Sequence, residues 1–558
     1  MTPESGGGGG TPTDPDPGPP AATPTGRAAQ IVTILAVLCG IAVAWRRAWT
    51  CDDAFISFRY ADDLAHGLGL VFNPGERVEG YSNFLWTLWC SLGIRLGRDP
   101  ERWSIASGIA AYGVCLALLG TQTLGLRRRF GAAATALPAA ALLGAVHPDW
   151  TIFASGGLET SLFTLLILCG YVLLVEGHGA PAAALAGLAL AAGSLTRPDG
   201  LVFAGVAGLF LLRARRPALR PALVFAVAFA AVYAPFLAWR LAYYGDWFPN
   251  PWYAKSIGRA WYGQGGTYVG LYFARYWALL AAAPLVLATA VALRRSPSIA
   301  MNLRREWSDR SGLAAGFAVV ATLAVARIGG DFMFARFLIP ATPFYLILFE
   351  LGLYRWRPRG RWTEVLLVPA AAAAIVLTPP PMRGGERVAG ISNEWEAYSP
   401  QFCARVRQQG EALRRYFDRL PIRVVFMGAQ ARMIYYARPW VAIEGETGLT
   451  DRTIARQNLP KRGRVSARGS LPRLPAPPRR LHRAHGPGER RAGPGGLPEP
   501  PALLLRSSPG RATGAGLPVP PGESPMTWPR PGARASLHHK LPIALPRPAS
   551  NPSGPPAR

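Results

Sequence analysis

Two adjacent aspartates, Asp52 and Asp53, follow shortly after the first long apolar stretch of the chain. A carboxylate at the edge of a membrane is costly unless it has a partner or a function. Either aspartate has the chemistry of a general base, which takes a proton from a hydroxyl as that hydroxyl attacks an electrophilic carbon. Solvated loop charges and helix caps are the plainer alternatives for each acid taken alone.

Further polar segments supply cations and groups that bind sugars. Arginine can hold a phosphate with two parallel hydrogen bonds, and the positive charge of either arginine or lysine can stabilise a departing phosphate. The candidates for phosphate binding are Arg59, Arg197, Lys255 and Arg336. The candidates for contacts with a sugar or acceptor are Asp331, Tyr60, Glu159 and Trp252. Ion-paired or snorkelling cations and an interfacial aromatic belt are the alternatives for these residues.

The elements that must position these residues are membrane helices. Of the 558 residues, 50% are hydrophobic and only 16% are charged, whereas soluble domains have about 25% charged residues. Long uncharged runs approach the ~20 residues that span a bilayer. The sequence therefore predicts an α-helical multispanning protein of about 11 crossings. The predicted spans are 28–45, 104–126, 132–147, 158–175, 182–195, 200–212, 220–241, 271–293, 312–328, 337–354 and 363–378.

Clusters of arginine orient these spans, because basic loops favour the cytoplasmic side. The clusters are 127–129, 213–220, 294–305 and 355–361. All four share one side if residues 83–97 lie in the membrane interface, as their interrupted apolar pattern suggests. An ordinary short span at 83–97 is the alternative, and it would put cluster 127–129 outside. Separately, 182–195 and 200–212 are shorter than a bilayer and could form a re-entrant pair, which leaves the orientation of the other loops unchanged. When all four clusters are cytoplasmic, the polar segments with the candidate residues face the outside.

The chain divides into four parts by composition. Residues 1–27 are predicted to be a disordered leader, and 28–378 a transmembrane domain whose first outer loop, 50–82, is catalytic. Residues 379–465 predict a small extracytoplasmic α/β domain, with an amphipathic stretch at 394–420 and strands in IRVVFMGAQ and WVAIEG. Residues 466–558 are rich in Pro, Arg, Gly and Ala, which predicts a disordered tail or the product of a frameshift.

Several other function classes are disfavoured. The net charge of +28 would suit nucleic acid, but the arginines lie mostly between apolar runs or in the tail. Cys51 and Cys403 are the two cysteines that could share an aqueous face, and we expect no disulfide between them. His66 and His147 lack the spacing of metal ligands. We therefore predict no metal site, while metal dependence of the reaction stays open.

The stretch DDAFISFRYADDLAHGLGLVFNPGERVEGYSNFLW resembles the first periplasmic loop of GT-C glycosyltransferases. The similarity is strongest to the terminal β-(1→2)-arabinofuranosyltransferase family of mycobacterial cell walls. Five further segments resemble the same pattern in the same order. They are SGGLET, RPDG, FPNPWYAK, GGDFMFARF and GLTDRTIAR. The resemblance covers roughly residues 28–465, and the tail departs from it.

The resemblance implies a glycosyltransferase in the bacterial inner membrane, with its active site facing the periplasm. Such an enzyme moves a sugar from a polyprenyl-phosphate donor to a cell-envelope glycan or another acceptor, and we expect the transfer to invert the anomeric centre. Arabinofuranose is one candidate sugar, and no cofactor beyond the lipid-linked donor is expected. The resemblance also favours Asp52 over Asp53 as the base, because the base of GT-C enzymes is commonly the first acid of such a pair. The alternative class is a multispanning transporter or flippase of envelope precursors. Transporters usually place acids at mid-membrane and show internal repeats, whereas these acids cluster in loops.

Overall fold

The computed structural model describes residues 24–130, 137–213, 219–255, 258–295, 301–354, 362–417, 422–457 and 502–506. Residues Met1–Pro509 belong to one compact unit, and the second unit, Gly510–Arg558, lies outside the described residues. Residues 1–23 of the predicted leader also lie outside them. The architecture below therefore concerns the first unit alone.

Helices and strands are numbered in chain order. The longer apolar helices are α1 (Pro24–Arg46), α4 (Pro100–Phe130), α8 (Gly179–Thr196), α10 (Leu219–Tyr244), α13 (Ala282–Arg295) and α14 (Met301–Ile328). The shorter apolar helices are α7 (Thr160–Glu176), α9 (Gly200–Arg213), α15 (Thr342–Leu353) and α16 (Trp362–Leu377). The remaining helices before residue 380 are α2 (Ala54–Ala65), α3 (Phe84–Arg95), α5 (Ala139–Ala145), α6 (Pro148–Ala154), α11 (Asn250–Ala254) and α12 (Tyr262–Arg275).

Within the described residues, six helical segments are long and apolar enough to cross a membrane, and four shorter apolar helices accompany them. Apolar side chains remain exposed along them, as at Leu223 and Val227 of α10. A helix that is apolar all round and still exposed is suited to lipid rather than to water. The protein is thus a multi-pass membrane protein, and the number of 11 crossings stays a prediction.

Two predicted spans differ from the structure. The described part of span 132–147, residues 137–147, contains one helix, the seven-residue α5, which ends before Pro148 starts α6. Span 271–293 is divided at Tyr276, where α12 gives way to a 3-10 helix, Trp277–Ala281, that leads into α13. Proline at the first position of α6 suits a helix start, because its missing N–H group needs no partner there. Composition predicted the apolar runs, but not where they break.

The short segment at 83–97 is helix α3, which has 12 residues. A helix of that length extends about 18 Å, well short of a hydrocarbon core about 30 Å thick. It packs against α2, α4 and α8. Its length thus favours the interfacial location over a crossing.

An ionic network joins three membrane helices at the end of α7 that carries Glu176. Arg129 of α4 contacts Glu176 and Glu306 at 3.0 and 2.6 Å. Arg310 of α14 contacts the same two carboxylates at 2.6 and 3.1 Å. These pairs hold α4, α7 and α14 together at one end of the bundle, whereas the candidate site residue Glu159 precedes the other end of α7.

Residues 379–457, which we call the C-terminal module, carry a small α/β unit. Its elements are β1 (Arg387–Val388), β2 (Ile391–Ser392), α17 (Pro400–Phe417), β3 (Arg423–Met427), α18 (Ala431–Ala437), β4 (Val441–Glu444) and α19 (Arg452–Arg456). Strands β3 and β4 are parallel and α18 connects them, while β1 and β2 form an antiparallel pair. Helix α17 and strands β3 and β4 lie within the predicted amphipathic stretch and the two predicted strand segments.

One strand lies in the predicted tail, 466–558. It is β5 (Ala502–Arg506), which pairs in parallel with β3 on the side opposite to β4. The rest of the tail lies outside the described residues. The prediction of a disordered or frameshifted tail is therefore not tested beyond these five residues.

Candidate active site

The first loop, residues 47–83, is held against the turn that follows α6. The Cys51 N–H donates to the Gly156 carbonyl at 3.0 Å, and the Trp49 indole N–H donates to the Ile152 carbonyl at 2.9 Å. Asp52 and Asp53 come next and lead directly into α2. The aspartate pair is thus fixed to the end of the helical bundle near which Glu159 lies.

Glu159 is the centre of a buried ionic cluster. Its Oε1 atom accepts hydrogen bonds from Arg197 and Arg336, both at 3.1 Å. Its Oε2 atom accepts one from the Asn83 amide at 3.0 Å. Burial alone would raise the pKa of Glu159, but the charges of Arg336 and Arg197 outweigh burial and lower it to about 2. Glu159 is therefore ionised and joins three separate loops.

Each arginine of this cluster has a second carboxylate partner. Arg197 holds Asp199 through its Nε and Nη2 atoms at 2.9 and 3.1 Å. Arg336 contacts Asp331 at 3.3 Å. The Arg197 guanidinium also lies 4.5 Å from the centre of the Phe337 ring. The carboxylates raise the pKa of both arginines against the opposing effect of burial.

The loop that carries Asp331 and Arg336 has an unusual backbone. Gly329, Gly330 and Ala335 all have positive φ, at 89°, 72° and 64°. A Cβ atom on Gly330 would come within 2.3 Å of the Tyr268 ring. Left-handed conformations cost little for glycine but more for alanine. The loop thus has a fixed and strained path, which brings Arg336 back to Asp331.

Asp53 is partly buried and lies close enough to this cluster for the charges of Arg336, Asp331 and Glu159 to act on its carboxylate. Its side chain does not cap α2, and no described residue forms an ion pair or hydrogen bond with its carboxylate. Burial raises the pKa of Asp53, Lys255 and Arg336 lower it, and Asp331 and Glu159 raise it again. The net pKa is above the ordinary value, so the carboxylate is more basic than a solvated aspartate.

Asp52 faces a different part of the molecule. Its Oδ2 and Oδ1 atoms accept hydrogen bonds from the backbone N–H groups of Ala431 and Arg432, at 2.8 and 2.9 Å. Both oxygens are thus used by the first residues of α18 in the C-terminal module. Burial raises the pKa of Asp52 to about 6, against the lowering effect of these hydrogen bonds.

Two further candidates of the first loop, Arg59 and Tyr60, form hydrogen bonds with backbone groups and not with residues of the ionic cluster. Arg59 donates from Nε to the Phe72 carbonyl at 2.7 Å and from Nη2 to the Pro439 carbonyl at 2.9 Å. The Tyr60 hydroxyl donates to the Val78 carbonyl and accepts from the Gly80 N–H, at 2.7 and 2.8 Å. Tyr60 is fully buried. Phosphate binding by Arg59 and stacking by Tyr60 are therefore not supported by these contacts.

Trp252 and Lys255 lie on and just after α11. Trp252 stacks on Phe248 with ring centres 4.4 Å apart, and both rings retain some exposure. Lys255 is partly exposed, and its charge acts on Asp53. Lys255 thus belongs to the edge of the cluster.

Two members of the site were missed in the sequence. Asn83 joins Glu159 to Ser57. The Ser57 hydroxyl donates to the side-chain oxygen Oδ1 of Asn83 at 3.0 Å, and the side-chain NH₂ group of Asn83 donates to Glu159. Glu394 of the C-terminal module accepts from the Ser392 hydroxyl at 2.8 Å. Burial raises the pKa of Glu394, the Ser392 hydroxyl lowers it, and Asp53 raises it further. The segment SNEWE offered no spacing that would have marked Glu394 as a site residue.

The two histidines named in the sequence analysis lie outside the cluster, whereas Cys51 directly precedes the aspartate pair. His147 is buried and caps α6 through a hydrogen bond from the Trp150 N–H at 3.2 Å. His66 follows α2, where it contacts Asp62. All six cysteines are free, including Cys51 and Cys403.

With this geometry in place, the sequence can be compared with known proteins. A terminal β-(1→2)-arabinofuranosyltransferase of Mycobacterium tuberculosis is 31% identical over 347 residues, which cover 58% of this chain and 54% of the relative. The enzyme of the same name from Corynebacterium glutamicum is 29% identical over 356 residues, which cover 58% of this chain and 51% of the relative. The chain resembles terminal β-(1→2)-arabinofuranosyltransferases. The resemblance predicted from the six motifs is thereby confirmed.

The chain spans about half the length of the curated relatives that it matches. No family model matches the sequence. Among solved structures, ArnT from Cupriavidus metallidurans bound to undecaprenyl phosphate aligns with a TM-score of 0.47 at 16% identity, covering 78% of this chain and 77% of ArnT. Its apo form aligns with a TM-score of 0.44 at 18% identity, covering 77% of each chain.

Proposed function

We propose that this protein is a membrane glycosyltransferase that moves a sugar from a polyprenyl-phosphate donor to an acceptor hydroxyl, with Asp53 as the general base. The observation that carries the proposal is the contrast between the two aspartates. Asp52 has both oxygens occupied by backbone N–H groups, whereas Asp53 has a raised pKa and faces a cluster of arginines and a lysine. A base beside cations is what transfer from a phosphate requires.

The reaction at this site is a displacement at the anomeric carbon. The acceptor hydroxyl gives its proton to an oxygen of Asp53 while its oxygen forms a bond to the anomeric carbon. The bond from that carbon to the phosphate oxygen breaks, and the polyprenyl phosphate leaves with the bonding electron pair. Attack from the face opposite to the leaving group inverts the anomeric centre, and the departing phosphate needs a nearby cation.

Arg336 and Lys255 are the best placed cations for the leaving phosphate. Both act electrostatically on Asp53. The Arg336 Nε atom is buried and has no hydrogen-bond partner among the described residues, so it retains a donor for a ligand. Arg197 is already held by Asp199 and Glu159, and we assign it to orienting Glu159 rather than to direct phosphate binding.

Arabinofuranose is the first sugar to test, because both curated relatives are named as β-(1→2)-arabinofuranosyltransferases. The acceptor would be the terminal hydroxyl of a cell-envelope glycan. We further propose that the protein resides in the bacterial inner membrane, with Asp53 on the periplasmic side, because the arginine clusters predict the opposite side to be cytoplasmic. Asp331 and Glu394 are the carboxylates near Asp53 that could accept hydrogen bonds from sugar hydroxyls.

The test is transfer of radiolabelled arabinofuranose from its polyprenyl phosphate to a synthetic arabinofuranosyl oligosaccharide by the full chain in nanodiscs. A polyprenyl-phosphate hexose serves as the second donor. Asp53→Asn should lower transfer by about 10² to 10⁴-fold, the usual contribution of a general base. Asp99→Asn is the matched control, because Asp99 accepts from the Arg102 N–H at 3.0 Å near the start of α4 and asparagine caps equally well.

Wild-type activity in Asp53→Asn would remove Asp53 from the mechanism. Lack of transfer by the wild-type chain with both donors, together with passage of the intact lipid across proteoliposomes, would instead favour the transporter. A positive result with one donor fixes the sugar class.

A further inference from the structure

The C-terminal module docks on the first loop through Asp52. Asp52 is buried, and each of its carboxylate oxygens accepts from one backbone N–H group at the start of α18. A carboxylate matches two adjacent N–H donors because it is acceptor-only at both oxygens. It also complements the partial positive charge at a helix start. Asparagine would keep one acceptor and turn an NH₂ group toward the second N–H.

The side chain of Arg432, in the C-terminal module, also binds residues near Asp52. Its Nη2 atom donates to the Thr50 carbonyl at 2.9 Å, and its Nη1 atom contacts Glu101 at 2.8 Å. The guanidinium also lies 4.4 Å from the centre of the Phe55 ring. The backbone of Arg432 therefore binds Asp52, while its side chain binds the residues on either side of the aspartate pair.

Two more residues of the first loop bind the module, through three hydrogen bonds. Arg59 donates to the Pro439 carbonyl at 2.9 Å. The Asn73 amide donates to the Ala442 carbonyl at 3.0 Å and accepts from the Ala442 N–H at 2.8 Å. The first loop thus binds the module at the start of α18, just before β4 and within β4. These contacts define a continuous docking surface.

The module also binds the loop that carries Arg336. The Phe334 N–H donates to the Ser392 carbonyl at 3.0 Å, and the Ser392 N–H donates to the Phe332 carbonyl at 2.8 Å. One module therefore contacts both the loop of Asp53 and the loop of Arg336. The relative position of base and cation depends on the module being docked.

We propose that Asp52 is a positioning residue that docks the C-terminal module and so sets Asp53 against Arg336. The effect on transfer rests on the function proposed above. The docking itself does not, because it is visible in the free protein. Asp52 thus acts through α18, while its neighbour Asp53 acts on the substrate.

The experiment measures hydrogen exchange of the amides at 431–437 in the full chain, alongside transfer of the labelled arabinofuranose. Asp52→Asn should speed exchange of the Ala431 and Arg432 amides about 10- to 100-fold, the effect of losing one charge-assisted hydrogen bond. Arg432→Met removes the contacts of the Arg432 side chain with Thr50 and Glu101, and it should speed exchange of the same amides. Asp53→Asn should leave this exchange unchanged, because both hydrogen bonds of Asp52 remain.

Transfer by Asp52→Asn should fall about 10-fold while the acid side of its pH–rate profile stays where it is in the wild type, because the base is intact. Wild-type exchange in Asp52→Asn would overturn the proposal. If that variant also lost transfer as fully as Asp53→Asn, with the acid side of the profile flattened, Asp52 would be the proton acceptor. If the wild-type chain transfers neither sugar, the proposed function fails, and the exchange measurement still decides the docking role.

Discussion

Replacing Glu159 by glutamine tests whether the ionic cluster is the rigid core of the site. The substitution keeps the shape of the side chain and removes its charge. Arg197 and Arg336 then lose the carboxylate that they share, at 3.1 Å from each. All three side chains are buried, so water cannot replace the lost charge. Two guanidiniums are left with one carboxylate partner each, Asp199 and Asp331.

The expected loss of stability follows from the pKa of Glu159. That pKa is lowered from 4.5 to about 2, which corresponds to about 3 kcal/mol in favour of the ionised form. Because the folded-state pKa is depressed, this stability is present above pH 4.5 and is lost as the pH falls toward 2. Breaking a buried ion pair by removing one partner typically costs about 3–5 kcal/mol. We expect Glu159→Gln to lose about 3 kcal/mol at pH 7.

The assay is reversible unfolding of the full chain in mixed micelles at pH 7, with Glu411→Gln as the control. Glu411 pairs with Arg407 on the surface, where both side chains are about half exposed, so its loss should cost less than about 0.5 kcal/mol. Combining Glu159→Gln with Arg336→Met should increase the loss, because the buried Asp331 then has no arginine partner. If Glu159→Gln unfolds within about 0.5 kcal/mol of the wild type, the cluster is not the rigid core.

Three further outcomes are expected. Transfer should decline as the pH falls through the raised pKa of Asp53, so the acid limb of kcat/KM lies above pH 3.8 and should vanish in Asp53→Asn. Arg336→Lys should lower kcat/KM for the donor at least about 10-fold, because lysine cannot reach Glu159 and Asp331 at once; unchanged kinetics would exclude that role. Gly330→Ala should reduce transfer, because alanine disfavours a φ of 72° and its Cβ would meet the Tyr268 ring; normal transfer would show that the loop adapts.

Glu159, Arg197 and Arg336 were predicted from the sequence as sugar- or phosphate-binding residues, not as an ion-paired cluster. Glu159, Arg197 and Arg336 were chosen because they follow or precede apolar runs at the same predicted side of the membrane. Helices of one bundle bring such ends together, so residues far apart in the chain meet without any local signal. Asp331 and Lys255 also lie in loops between predicted spans on that side, and they too are near the cluster. Their position next to predicted spans therefore indicated that these residues would lie near one another, and the side of the membrane on which they lie stays a prediction.

The partners of Asp52, Arg59 and Tyr60 could not be predicted in this way. Asp52 and Ala431 are 379 residues apart, and Arg59 and Pro439 are 380 apart. Nothing in the local sequence distinguishes a carboxylate that binds a substrate from one that binds a backbone N–H group. Burial and hydrogen-bond occupancy make that distinction, and both depend on where the C-terminal module docks. The same applies to Glu394, which reaches the site from that module.

The adjacency of the two aspartates would let one short motif serve both proposed roles. They lie in the turn that begins α2, and successive residues of such a turn point about 100° apart. When Asp52 is directed at α18, Asp53 must therefore point elsewhere, and it faces the arginine cluster. The Asp52 contact with two N–H groups then fixes the direction of Asp53, whose own carboxylate stays available for a proton. Two adjacent acids in one turn can thus couple the docking of a module to the orientation of the carboxylate that serves as base.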